Sequence, residues 1–137
     1  MKNIYIFLLL IPTLTLAQDR YTFAIFPECP ISEKNEEMKN CFITSLSEKL
    51  KSNLDPTILS LIKEKNIKQL IIYFNVEKDG KLSSFKTPSY SEVSIAKYFN
   101  ERFVQYSEYL DNSEQHIIPA MFNEIPGKIE LSAKLEF

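Results

Sequence analysis

The chain has 137 residues, with 16 basic and 18 acidic side chains, ten Phe, seven Tyr, no Trp and two Gly. That length sets a limit of one domain. A net charge of −2 with no basic stripe excludes nucleic acid and anionic lipid as main partners, and so few glycines exclude a glycine-rich phosphate loop.

The first segment, residues 1–17, reads as a signal peptide. Lys2 supplies the positive start, Ile4 to Leu16 is almost wholly apolar, and Thr15-Leu16-Ala17 offers small residues at the cleavage positions. The apolar run is about 13 residues, short of the roughly 20 that a spanning helix needs. An uncleaved anchor is the alternative. No cysteine follows at the position lipid attachment requires. Residues 18–137 are therefore expected to form a single domain, exported to the periplasm or secreted after cleavage near Ala17, without a stable membrane anchor.

Residues 20–27 look extended and end at Pro27, which disfavours helix in Phe26. Cys29 and Cys41 follow, the only two cysteines, with eleven residues between them. Export places them where disulfides persist. Closing so small a loop stabilises by about 3 kcal/mol in the chain-entropy model. A metal pair would need further ligands, and His116 is the only histidine. A redox pair usually has CxxC spacing, absent here. The expectation is a structural disulfide, with no metal and no cofactor.

A first helix should begin near Ser32 or Asn35, either of which can cap it, with Glu33, Glu36 and Glu37 at its positive end. Met38, Cys41, Phe42, Leu46 and Leu50 recur at spacings of three and four and make one apolar stripe. Asp55-Pro56 then starts a short second helix, with Asp as cap and Pro in the first turn.

Residues 68–85, KQLIIYFNVEKDGKLSSF, read as a β-hairpin. Leu70, Ile72, Phe74 and Val76 fall on one face of its first strand. A two-residue turn would set Lys78 against Lys81. A three-residue turn with Gly80 left-handed instead sets Glu77 against Lys81 and Val76 against Leu82, and is preferred. Phe85 reaches the buried face only if a bulge near Ser83-Ser84 shifts the alternation by one.

Beyond Pro88, residues 89–92 open a third helix with Val93, Ala96, Phe99, Phe103 and Tyr106 on its apolar stripe. Residues 107–115 are acidic and read as a mobile loop. His116 is read as a packing or surface residue. Pro126-Gly127 is expected to turn, and Ile129, Leu131, Ala133, Leu135 and Phe137 then alternate with Lys128, Glu130, Ser132, Lys134 and Glu136. That is a strand with one buried and one charged face.

One arrangement satisfies every stripe: an α+β, two-layer fold with helices packed on one face of a small three-stranded antiparallel sheet. If the third helix carries the chain back, the final strand pairs with the longest strand of the hairpin, which becomes central. The final strand is then an edge.

With Phe26-Pro27-Glu28-Cys29, Cys41-Phe42 heading a helix, the run from Phe74 to Leu82 (FNVEKDGKL) and the closing strand, residues 24–137 resemble the TonB C-terminal domain family in its exported, two-cysteine variant. The resemblance implies that fold, and the capture of a short extended segment of an outer-membrane transporter by strand addition. The edge it implies is Lys128, Ile129, Glu130, Leu131, Ser132, Ala133, Lys134 and Leu135. Energy-transducing members carry an N-terminal anchor and a Pro-rich spacer. Neither is found here, so an anchor-less module is expected.

The functional expectation is an exported, non-catalytic module that binds a protein or peptide partner at this edge. The alternative is a structural or assembly protein that forms a homodimer through the same edge. No nucleophile motif accompanies His116, so no enzyme is expected. Leu131→Pro, by removing a ladder donor, is expected to abolish capture.

Overall fold

The computed structural model describes residues 20–137; the proposed signal peptide lies outside the described residues. The elements run β1 (Tyr21–Thr22), α1 (Asn35–Lys51), α2 (Pro56–Glu64), β2 (Gln69–Val76), β3 (Leu82–Lys86), α3 (Val93–Asn112), β4 (Ala120–Phe122), β5 (Ile125–Gly127) and β6 (Ile129–Glu136). The fold is α+β, with the expected three-stranded antiparallel sheet in the order β3-β2-β6. A second small sheet, β1-β4-β5, was not expected.

The hairpin follows the expected register. The Glu77 amide donates to the Lys81 carbonyl at 2.8 Å, Val76 faces Leu82, and Gly80 has φ +85°. A Cβ on Gly80 would lie 2.2 Å from the Ile117 carbonyl oxygen, so only glycine lets the turn approach that segment. The β2–β3 register shifts between Tyr73 and Asn75, and Ser84 has φ +56°. This bulge turns Phe85 inward, 5.1 Å from the Phe103 ring.

The buried face of the sheet meets all three helices. Leu70, Ile72, Phe74 and Val76 of β2, with Leu131, Ala133 and Leu135 of β6, share one core with Met38, Phe42, Leu46 and Leu50 of α1. Ile58 and Ile62 come from α2, and Ile95, Phe99, Phe103 and Leu110 from α3. A run of ring contacts crosses it: Phe26 to Phe42 at 5.2 Å, Phe42 to Phe74 at 6.4 Å and Phe74 to Phe103 at 5.6 Å. Large rings fill this layer where Trp is absent. Cys29 and Cys41 form the expected disulfide and tie the lead-in to α1.

Several local expectations change. Neither Ser32 nor Asn35 caps α1, whose N-cap is Lys34 without a side-chain bond. The Asn35 side chain instead accepts from the Phe23 amide at 2.9 Å and donates to the Tyr21 carbonyl at 2.8 Å. It holds the lead-in strand, a tertiary demand that outranks local capping. Residues 107–112 are not a loop, because α3 continues to Asn112 and buries Leu110. On α3 it is Ile95 that is buried, while Val93 is 78% exposed. Pro126-Gly127 is not a turn; both lie in β5, and the chain reverses at Asn123-Glu124, both with positive φ. Asp55 does cap α2, accepting from the Thr57 amide at 2.9 Å with Pro56 in the first turn.

Arg102 of α3 fastens the corner between α1 and α2. Its guanidinium donates to the carbonyls of Lys49, Ser52 and Asn53 and lies 5.6 Å from the Tyr98 ring centre. These are carbonyls at and just beyond a helix C-terminus, where a cation is favourable. One turn further along α3, Tyr106 stacks on Phe26 with ring centres 6.2 Å apart.

Burial of the Tyr106 hydroxyl, with the Glu28 carboxylate and Tyr109 adding to it, pushes its pKa up to about 12. The folded state therefore favours the neutral phenol. Its contribution to stability is fully present below the ordinary tyrosine value of 10.0 and is lost as pH rises toward about 12. Tyr106→Phe should flatten this part of the pH–stability curve, read from denaturation midpoints at several alkaline pH values. An unchanged slope contradicts the assignment.

Candidate functional site

An eight-residue register, from Gln69↔Glu136 to Val76↔Ile129, joins β2 and β6 without a bulge. Just past its end, the Phe137 amide donates to the Lys68 carbonyl at 3.0 Å. Hydrogen-bonded pairs alternate along an antiparallel ladder. Counting back from Phe137, the main-chain groups of Leu135, Ala133, Leu131 and Ile129 face β2. Those of Glu136, Lys134, Ser132 and Glu130 face away. A separate contact agrees with this parity: the outward Glu136 carbonyl accepts from Lys51 Nζ of α1 at 3.2 Å.

The same parity sorts the side chains. Leu131, Ala133 and Leu135 are buried and Ile129 is half-buried, whereas Glu130, Ser132, Lys134 and Glu136 are exposed. The eight residues expected from the sequence thus lie together on one edge, with Lys128 immediately before the strand. Only the even-numbered ones offer backbone to the outside. Leu131 is corrected on this point, because its N–H belongs to the β2–β6 ladder and not to the open rim.

Among the described residues no strand pairs with the outer side of β6. The lead-in, a natural competitor for that position, is engaged elsewhere. β1 pairs with β4, Tyr21 against Phe122, and Ile25 bridges to Ile118. Nor does any salt bridge among the described residues engage Lys128, Glu130, Lys134 or Glu136. Apart from the Glu136 carbonyl, which Lys51 holds, the rim is a row of main-chain groups without a strand partner, under charges of alternating sign.

Two depressions flank the sheet. One of about 290 Å³ lies on its outer face between Tyr73, Asn75, Ser84, Lys86, Glu130 and Ser132 and adjoins the rim. The other, of about 360 Å³, is lined by Ile67, Gln69, Ile71, Tyr90 and Ile95, beside a Lys65–Glu92 ion pair of 3.1 Å. Glu92 also accepts from the Ile95 amide at 2.8 Å, and this bond, with Lys65 adding to it, holds the carboxyl below its ordinary value. Here β3 stops short of the start of β2. Among the described residues, no three His, Cys, Asp or Glu side chains converge to hold a metal.

Sequence reasoning missed two members of the site. Glu136 belongs to the outward row, and the alternation through Phe137 already carried that signal. Lys51 has no such signal, since only the packing of α1 against β6 brings it to the rim. Comparison with family models, curated proteins and solved structures finds no match to this chain.

Two proline substitutions separate the inner and outer rows of the ladder. Leu131→Pro should cost about 3 kcal/mol or more, since it removes an internal ladder bond. Ser132→Pro should cost far less, because its N–H faces solvent at an edge. Thermal unfolding of the two variants checks this, and equal destabilisation contradicts the parity.

Proposed function

We propose that this chain is an exported, non-catalytic binding module that captures an extended segment of a protein partner as a strand added to β6. The observation that carries this reading is the outward row of Glu130, Ser132, Lys134 and Glu136, whose N–H and C=O groups have the spacing a guest strand needs. Main-chain bonds supply affinity in this mode, and the side chains of the rim tune which guest is accepted.

Export is supported by the signal-like residues 1–17 and by the Cys29–Cys41 disulfide, which an oxidising compartment preserves. No helix among the described residues is long and apolar enough to cross a membrane. The resemblance of the hairpin, the cysteine pair and the closing strand to the TonB C-terminal domain family adds a class of guest, an extended segment of an outer-membrane transporter. A periplasmic location fits that guest.

The test is capture from envelope extract with the purified protein as bait, beside Ser132→Pro and Lys128→Ala. Ser132→Pro, which removes an outward donor, should lose the captured partner by at least about tenfold, while Lys128→Ala, which keeps every main-chain donor, loses far less. Retention by a folded Ser132→Pro protein contradicts strand addition at this rim.

A further inference from the structure

The charges along the outer row invert in sign about Ser132. Reading outward-facing positions in order gives Lys128, Glu130, Ser132, Lys134 and Glu136. An antiparallel copy of the same strand, related by a two-fold axis at Ser132, sets Lys128 against Glu136 and Glu130 against Lys134. Ser132 meets itself. Every charge faces its opposite, and outward backbone meets outward backbone, as an antiparallel ladder requires. On the buried side, Ile129 meets Leu135 and Leu131 meets Ala133, so the apolar layer continues across the junction.

Neighbouring registers lack this property. With the axis at Leu131, Lys128 faces Lys134. With it at Ala133, Glu130 faces Glu136. Axes at Glu130 or Lys134 set a charge against its own copy. Opposite charges directly across a strand pair stabilise, and like charges destabilise by a similar amount, so one register is selected.

We infer that the β6 rim also takes a second copy of this chain, in competition with any peptide guest, forming an isologous dimer in which two three-stranded sheets join into one of six strands. The inference rests on the reading of the rim as strand-accepting and names a further partner for it. Roughly ten main-chain hydrogen bonds form at the junction. The Glu136 carbonyl, now held by Lys51, keeps a second lone pair for the partner's Lys128 amide. Such a contact is small, so the dimer is expected to depend on concentration and to weaken with salt.

Sedimentation equilibrium of the purified protein, from about 1 to 500 µM, should show a monomer–dimer exchange. Glu130→Lys sets a lysine against Lys134, and Lys134→Glu sets a glutamate against Glu130. Each variant alone should dimerise at least about tenfold more weakly. An equimolar mixture should recover wild-type affinity, because every pair across the junction is again opposite in charge. Ser132→Cys should cross-link to itself on mild oxidation, as cysteines at bonded positions lie within disulfide reach.

A protein that stays monomeric throughout, or a dimer indifferent to both charge changes and to Ser132→Pro, overturns the inference. The reading beneath it is separable. A monomer that still captures an envelope partner, and loses it on Ser132→Pro, leaves strand addition standing while the second copy is excluded. A monomer in which neither happens removes both.

Discussion

The ladder between β2 and β6 decides most of what this molecule presents to its surroundings. Its parity gives each residue of β6 one of two duties. Leu131, Ala133 and Leu135 send their side chains into the core and their main chain to β2, while Glu130, Ser132, Lys134 and Glu136 send both the other way. A slip of one residue would bury the charges and expose the leucines, so the aliphatic face locks the register. The free backbone row and the charge row are therefore fixed in phase with each other. That coincidence turns a sheet edge into a surface with a readable code.

Holding the rim open depends on what the lead-in does. An extended N-terminal segment beside a sheet with a free edge is a natural occupant of it, yet here it turns the other way. Asn35 grips Tyr21 and Phe23 by their main chain, the Cys29–Cys41 disulfide fixes the segment to α1, and β4 supplies β1 with a partner. Phe26 completes the arrangement by entering the ring contacts that lead through Phe42 and Phe74 to Phe103. The small sheet β1-β4-β5 thus satisfies a strand that would otherwise compete with any guest.

Much of this is legible in the sequence. The hairpin register, the left-handed Gly80, the bulge that turns Phe85 inward and the central position of β2 all follow from alternation and from the cost of opposed like charges. What escaped was nonlocal. Asn35 is a good helix cap by composition and is used to hold a strand. Residues 107–112 look irregular because they are acidic, but Leu110 is buried seven residues after Phe103 and carries α3 through them. Strands of two or three residues, such as β1 and β4, are too short for alternation to show. For the rim, the sequence carries which residues are exposed; which of them have free main chain depends on the pairing parity with β2.

The most direct measurement is amide hydrogen exchange along β6 in the protein at high dilution, where no guest or second copy is bound. Slow exchange at Leu131, Ala133 and Leu135, alternating with fast exchange at Glu130, Ser132 and Lys134, is the expected result. Uniformly slow exchange through the strand, at a dilution that leaves only monomer, contradicts the account, because the rim would then be covered from within the chain.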